Sequence, residues 1–179
     1  VYVPARYGLE LWEALLEAGR DFAIVPYGLE ALGTLRIEKG HVAGSELDGR
    51  TTAADLGLGG MLSKKKDFYG KAMANRPGLI GETRQILVGL VSPSRKSTPN
   101  GAQIVRGSTP NATEHGLGHV TANAYSPALE QYIALALVEN GAALHGKTLY
   151  AADPVRGRHL PVEIRDPHFY DPDGSRMHV

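Results

Sequence analysis

The chain has 179 residues, 42% of them apolar, with 19 Lys plus Arg against 19 Asp plus Glu and no cysteine. That length buries a real core and that composition is globular, while the charge balance excludes a broad basic field for nucleic acid or anionic lipid. Without Cys there are no disulfides or thiolate metal sites, which fits a reducing, cytoplasmic compartment; no apolar run reaches the about 18 residues of a membrane-spanning helix, and no signal peptide is visible.

The opening Val1–Val3 alternates like a strand, and Pro4 closes it. It has no initiator Met and no polar lead-in, so a piece of a longer polypeptide is expected. Residues 4–18 read as an amphipathic helix, with Leu9, Trp12, Leu15 and Leu16 at three- and four-residue spacing and Gly19 as its C-cap. Trp12 sits on the Leu stripe and is expected in the core. Phe22–Val25 reads as a short strand stopped by Pro26. Tyr27–Lys39 reads as a second helix ended by Gly40, with Leu29, Leu32, Leu35 and Ile37 facing inward. Gly28 and Gly33 weaken that helix by roughly 1 kcal/mol each, so packing must make up the loss. Strand, helix, strand, helix is half or more of a split βαβ unit, whose remaining strands are expected upstream of Val1.

A Gly-rich hairpin is expected next, with a turn at Asp48-Gly49, then a helical turn from Ala53 capped by Thr52 with Asp55 at the third position. Lys64, Lys65 and Lys66 read as a solvated face. Asp67–Ala74 reads as a short helix. Asn75–Arg84, with Pro77, Gly78 and Gly81, is the expected domain boundary. Beyond it come short strands split by Gly and Pro: Gln85–Val91, Ala102–Val105, Gly116–Ala122, Gln131–Val138, Thr148–Ala151 and His159–Arg165. Six at this spacing suggest a small closed antiparallel barrel, and closure removes exposed edges. The fold class is therefore α+β: a partial ferredoxin-like (split βαβ) piece over residues 1–80, followed by a small antiparallel β-barrel over 81–179.

The chemistry-bearing residues exclude several classes. Ser92, Ser94, Ser97, Ser108 and Ser126 are present, with seven histidines, but no Gly-x-Ser-x-Gly elbow occurs. His115 and His119 flank Gly116-Leu117-Gly118, which disfavours helix; on a strand they stand about 13 Å apart, too far to share a metal. Gly57–Gly60 and Gly116–Gly118 match neither a dinucleotide fingerprint nor a P-loop. His168, beside Phe169 and Tyr170, reads as a partly exposed loop histidine. Arg36 and Glu38 are two apart on a helix and point to different sides. A buried Arg36 needs carboxylate or carbonyl partners, so it can clamp a loop or an anionic ligand.

Four blocks resemble the glycine-cleavage T-protein (aminomethyltransferase) superfamily in order: Val1–Pro4 with the helix after it; Leu35-Arg36-Ile37-Glu38-Lys39-Gly40; Lys64 to Lys71, with Asp67-Phe68-Tyr69-Gly70 inside it; and Val120-Thr121 through Tyr125-Ser126-Pro127-Ala128-Leu129 to Ile133-Ala134-Leu135-Ala136. Within that group the sequence looks closest to the C-terminal part of sarcosine oxidase alpha subunits. The resemblance implies that residues 1–80 are the C-terminal part of a folate-binding domain and 81–179 the C-terminal barrel. It implies tetrahydrofolate as the cofactor, accepting a one-carbon unit as methylene-tetrahydrofolate, with FAD, FMN and NAD in the parent enzyme but not on this chain. The other oxidase subunits and the N-terminal part of the same polypeptide are the implied partners, with no nucleic acid or membrane. The family's folate-binding Glu falls just before Val1, its reactive-site Asp further upstream, and its folate-contacting Arg at Leu32. Arg36, Glu38, Tyr125, Phe169 and Tyr170 are then the cofactor-binding candidates, and this piece alone is expected to bind folate weakly or not at all. Two other readings stay open: another T-protein-like aminomethyltransferase, and a non-catalytic subunit-assembly module.

Overall fold

The computed structural model describes residues 1–81, 83–111 and 113–177. Six strands follow Arg84: β1 (Gln85–Val91), β2 (Gln103–Val105), β3 (Gly118–Ser126), β4 (Gln131–Glu139), β5 (Thr148–Asp153) and β6 (Arg158–Arg165). All pairings are antiparallel, and the strands close into a barrel in the order β1-β4-β3-β2-β5-β6, with β6 returning to β1. The expected barrel is thus present. β3 starts two residues later than its pattern suggests and runs four residues further, because its end pairs with β4 from Ala124↔Ile133 to Ser126↔Gln131.

Residues on one face of each strand fill the barrel. Val88 and Leu90 of β1, Ala134, Ala136 and Val138 of β4, and Ile164 of β6 form one buried cluster with Ile104, Val120, Ala151 and Val162. The alternate residues Leu87 and Val91 of β1 and Ile133, Leu135 and Leu137 of β4 point outward and are buried too, with Ile37 and Leu56 over them. Burial on both faces explains why these two strands read as continuous apolar runs. A bulge between Val120 and Ala122 interrupts β3. The extra residue, Thr121, is anchored: its Oγ1 donates to Leu135 O at 3.1 Å, and its carbonyl accepts from Ser45 Oγ at 3.0 Å.

The chain divides into two compact units, Val1–Leu32 and Gly33–Val179. In the first, a 3₁₀ turn over Ala5–Tyr7 leads into helix α1 (Gly8–Ala18), with Gly19 at its C-cap. Helix α2 runs over Leu29–Glu38 and a short α3 over Lys71–Ala74. Several expectations for this half are corrected. Val1–Val3 is irregular, and Phe22–Val25 begins in a 3₁₀ turn and passes through Ala23 at φ 53° instead of extending. A strand exists only through a ladder with a partner, and no described residue supplies one. For the same reason the segment after Gly40 is a series of turns and no hairpin. Trp12 is 50% exposed and no residue of α1 is buried, while Leu29, Leu32 and Leu35 of α2 are 85%, 47% and 52% exposed; only Ile37, of the four expected to face inward, is buried. Their hydrogen bonds run within each segment, so the helical shape needs no neighbouring strand, although helices this short owe most of their stability to packing. No helix among the described residues is long and apolar enough to cross a membrane.

Candidate functional site

The C-terminal end of α2 gathers several polar contacts. Gly40, at φ 71°, turns the chain sharply, and a side chain there would meet Pro167 O at 2.7 Å. Arg36 donates to His41 O at 3.1 Å and to Glu46 Oε2 at 3.2 Å, the pair being 22% and 0% exposed. Glu46 also accepts from Ala43 N at 2.7 Å. Arg36 therefore clamps the loop after α2, one of the roles its chemistry allows. Glu38 is buried, and its Oε1 accepts from Ser126 Oγ at 2.5 Å, while the same hydroxyl accepts from Leu129 N at 3.1 Å. Its Oε2 has no hydrogen bond among the described residues.

The segment after β6 closes on the same point. Phe169 N and Tyr170 N both donate to Glu38 O at 2.9 Å. Lys39 Nζ bonds Asp171 O and lies 3.4 Å from its Oδ2. The Ser175 hydroxyl, joined by Lys39 and opposed only by burial, holds the Asp171 carboxyl below the usual carboxylate range. The Phe169 ring lies over β1 at Gly89, where a Cβ would meet Phe169 Cζ at 2.6 Å and Asp166 O at 2.5 Å. Arg176 sits 5.1 Å above the Tyr170 ring.

Four of the five residues singled out from sequence, Arg36, Glu38, Phe169 and Tyr170, thus meet at one junction. Tyr125 does not. It neighbours Ser126 on β3, and alternation turns it to the opposite face, where it packs edge-on against Tyr132 with centroids 5.2 Å apart and remains 48% exposed. Sequence reasoning did not single out Glu46, and it named Ser126 without reading it as the partner of Glu38. Glu46 had a signal, being one of two acidic residues in the loop that follows an arginine needing a carboxylate. Ser126, 88 positions from Glu38, had none.

A second ion pair pins the turn before the barrel. Arg84 Nη2 reaches Asp55 Oδ2 at 2.5 Å and also bonds Arg50 O. Thr52 N donates to Asp55 Oδ2 at 2.7 Å while Asp55 N donates to Thr52 Oγ1 at 3.3 Å, a reciprocal capping box made with Asp. Burial pushes the Asp55 carboxyl up, but the bonds from Arg84 and Thr52 outweigh it and the net shift is downward. His168 is half exposed, with Nδ1 2.7 Å from Asp166 Oδ1, beside a cleft of about 440 Å³ that His145 and Phe169 also line. His115 Nε2 lies 3.5 Å from Glu139 Oε2, and His119 sits on β3 opposite Leu137 and Gln103. No cluster of three His, Cys, Asp or Glu able to hold a metal occurs among the described residues.

Comparison with known proteins agrees with this architecture. The family described as GCVT N-terminal domain matches residues 1–66, and the glycine cleavage T-protein C-terminal barrel domain matches residues 85–171. The sarcosine oxidase subunit alpha of Rhizobium meliloti (strain 1021) is 45% identical over 99% of this chain, and an aminomethyltransferase of Corynebacterium aurimucosum is 34% identical over 92% of it. The chain spans 18% of the first relative's length and 43% of the second's. The crystal structure of glycine cleavage system aminomethyltransferase T from Bartonella henselae shares the fold with a TM-score of 0.73 and 23% identity, over 95% of this chain and 45% of that one. With both of its matched domains in the family's order and its barrel closed as described, the chain belongs to the glycine-cleavage T-protein (aminomethyltransferase) superfamily.

Proposed function

We propose that this chain is the C-terminal part of the folate-dependent one-carbon transfer region of a sarcosine oxidase alpha subunit. The observation that carries the reading is the near-complete alignment with such a subunit, which runs through both matched domains. On this reading residues 1–80 belong to a folate-binding domain and 81–179 are its barrel. Sarcosine is oxidised by flavin elsewhere in the assembly, and the other subunits and the N-terminal part of the polypeptide are this chain's partners. Tetrahydrofolate, when bound, supplies the nucleophilic nitrogens that take up the one-carbon unit.

A flat pterin needs an apolar slot and a carboxylate for its N–H groups. The residues present fit part of that demand. Tyr125 offers an exposed aromatic ring, the partly buried Phe169 and Tyr170 form a wall beside Glu38, Glu38 keeps one carboxylate oxygen uncommitted to any described residue, and Arg36 fixes the loop beside it. These five residues are this chain's share of the cofactor site, with Tyr125 on β3 apart from the other four and not in one closed pocket. The share is incomplete, so the 179-residue chain by itself binds tetrahydrofolate weakly or not at all and is inactive in isolation. Calorimetry of tetrahydrofolate into the full assembly and into this chain alone tests the reading. Binding to the assembly, weakened about fivefold or more by Tyr125→Ala, is expected, with no micromolar binding to the chain alone. Micromolar binding to the isolated chain, or an assembly indifferent to Tyr125, overturns it.

A further inference from the structure

A different part of the barrel presents three cations to one cleft. An open cleft of about 630 Å³ is lined by Arg95, Lys96 and Ser97 from the β1–β2 connection, Tyr132 at the start of β4, and Arg158 and His159 at the start of β6. No carboxylate lines it. Several cations elsewhere are committed: Arg36 to Glu46, Lys39 to Asp171, Arg84 to Asp55, Arg156 to Asp153 and Arg165 to Glu163. Arg95, Lys96 and Arg158 have no ion pair among the described residues. The Asp153 carboxyl is kept below its usual range by Arg156, its ion-pair partner at 2.8 Å, with help from Arg158, which stands opposite Asp153 in the β5–β6 ladder.

We propose that this cleft binds a small oligoanion, a molecule or molecular tail that presents two or more carboxylate or phosphate groups to Arg95, Lys96 and Arg158. Three like charges around one concavity repel each other until a counter-charge enters, and concave walls focus their field. The volume lies within the range of small-ligand sites and exceeds what one simple oxyanion fills, so the ligand has a body as well as charges. Arg95 and Arg158 bring guanidinium forks, which match the planar geometry of carboxylate and phosphate oxygens.

Two local features shape the lining. Arg95 is held at φ 53°, a region non-glycine residues seldom adopt, with its N–H on Ser92 O at 3.0 Å. His159 stacks on Tyr150, with centroids 5.1 Å apart, and its Nε2 meets Gly107 O at 2.9 Å. A carbonyl only accepts, so Nε2 carries the hydrogen and Nδ1 is left with a lone pair, buried and without a partner. None of the five folate-site residues lines the cleft, although Tyr125 packs on Tyr132 at its rim. The inference therefore stands apart from the folate reading.

The test is calorimetry of the full chain at low salt with two probes that contain no pterin, tripolyphosphate for the phosphate source and triglutamate peptide for the carboxylate source. Saturable one-to-one binding of at least one probe is expected, and the probe that binds names the source. Affinity falls tenfold or more in Arg95→Asn/Lys96→Ala/Arg158→Gln, where Asn tolerates the left-handed backbone at position 95. It stays within about twofold in Lys64→Ala/Lys65→Ala/Lys66→Ala, which removes the same charge elsewhere. Lys96→Glu alone, a change to an exposed loop side chain, gives the same loss and carries the test should the triple variant not fold. No saturable binding of either probe, or equal losses in both triple variants, overturns the proposal.

Discussion

Residues 1–32 and the barrel are both rich in large apolar side chains, yet they use them in opposite ways. Leu9, Trp12, Leu15, Phe22, Val25 and Tyr27 are all 46% or more exposed, whereas Leu90, Ile104, Ile133, Leu135 and Ile164 are at or below 1%. The difference follows from where each segment's hydrogen bonds go. The helix α1 closes its bonds within itself, so its shape needs no neighbouring strand even where its apolar stripe is uncovered, although cover for that stripe would stabilise it. A barrel strand bonds only across to a neighbour, so β1 and β4 cannot form without being buried as they do so. Periodicity in a sequence reports which side chains need cover, but only the ladder shows where cover is supplied.

The comparison has a stability consequence, read by chemical denaturation of single variants. Ile164→Ala in the barrel interior is expected to cost about 2–5 kcal/mol through lost burial and the cavity left behind. Leu9→Ser on α1 marks the other extreme, within about 0.5 kcal/mol, as for an exposed surface position. Equal effects at the two sites would erase the contrast. Between them lie changes at the junction of α2 with the barrel. Gly89→Ala puts a Cβ 2.5 Å from Asp166 O, and overpacking of this kind costs about 1–3 kcal/mol. It also lifts Phe169 from its seat, seen as loss of amide protection at Phe169 and Tyr170. Ser126→Ala removes the partner of a buried carboxylate oxygen and is expected to cost about 1–3 kcal/mol.

The Asp55–Arg84 pair sharpens the comparison through pH. The folded Asp55 carboxyl titrates below its unfolded value of about 3.9. Its stabilisation is fully present above that value and is lost as pH falls through the folded pKa. The stability gap between the wild type and Asp55→Asn should therefore be constant from neutral pH to about pH 5 and narrow on further acidification. A gap independent of pH down to pH 2 contradicts the assigned pairing.

The barrel was legible because each of its strands is bounded by Gly or Pro and carries β-branched or aromatic residues at strand length. The start of β3 was misplaced because Gly116 and Leu117 continue the apolar pattern, and its end because only pairing with Gln131–Ile133 extends it to Ser126. Trp12 lies on a stripe that reads as core, but no local rule says whether a partner is at hand. At the junction, the need of Arg36 for a carboxylate was readable. The partners that fix Glu38 and Asp55 lie 88 and 29 positions away, and only the fold brings them near. Tyr125 and Ser126 are adjacent in sequence and face opposite ways, so a motif that contains both cannot be read as one surface.

The central claim is that this chain helps to direct a one-carbon unit onto tetrahydrofolate. It is tested most directly by the product of sarcosine turnover in the full assembly with tetrahydrofolate present. Tyr125→Ala is predicted to shift product from methylene-tetrahydrofolate towards free formaldehyde while the rate of sarcosine oxidation stays unchanged. An unaltered partition between the two products would contradict the account.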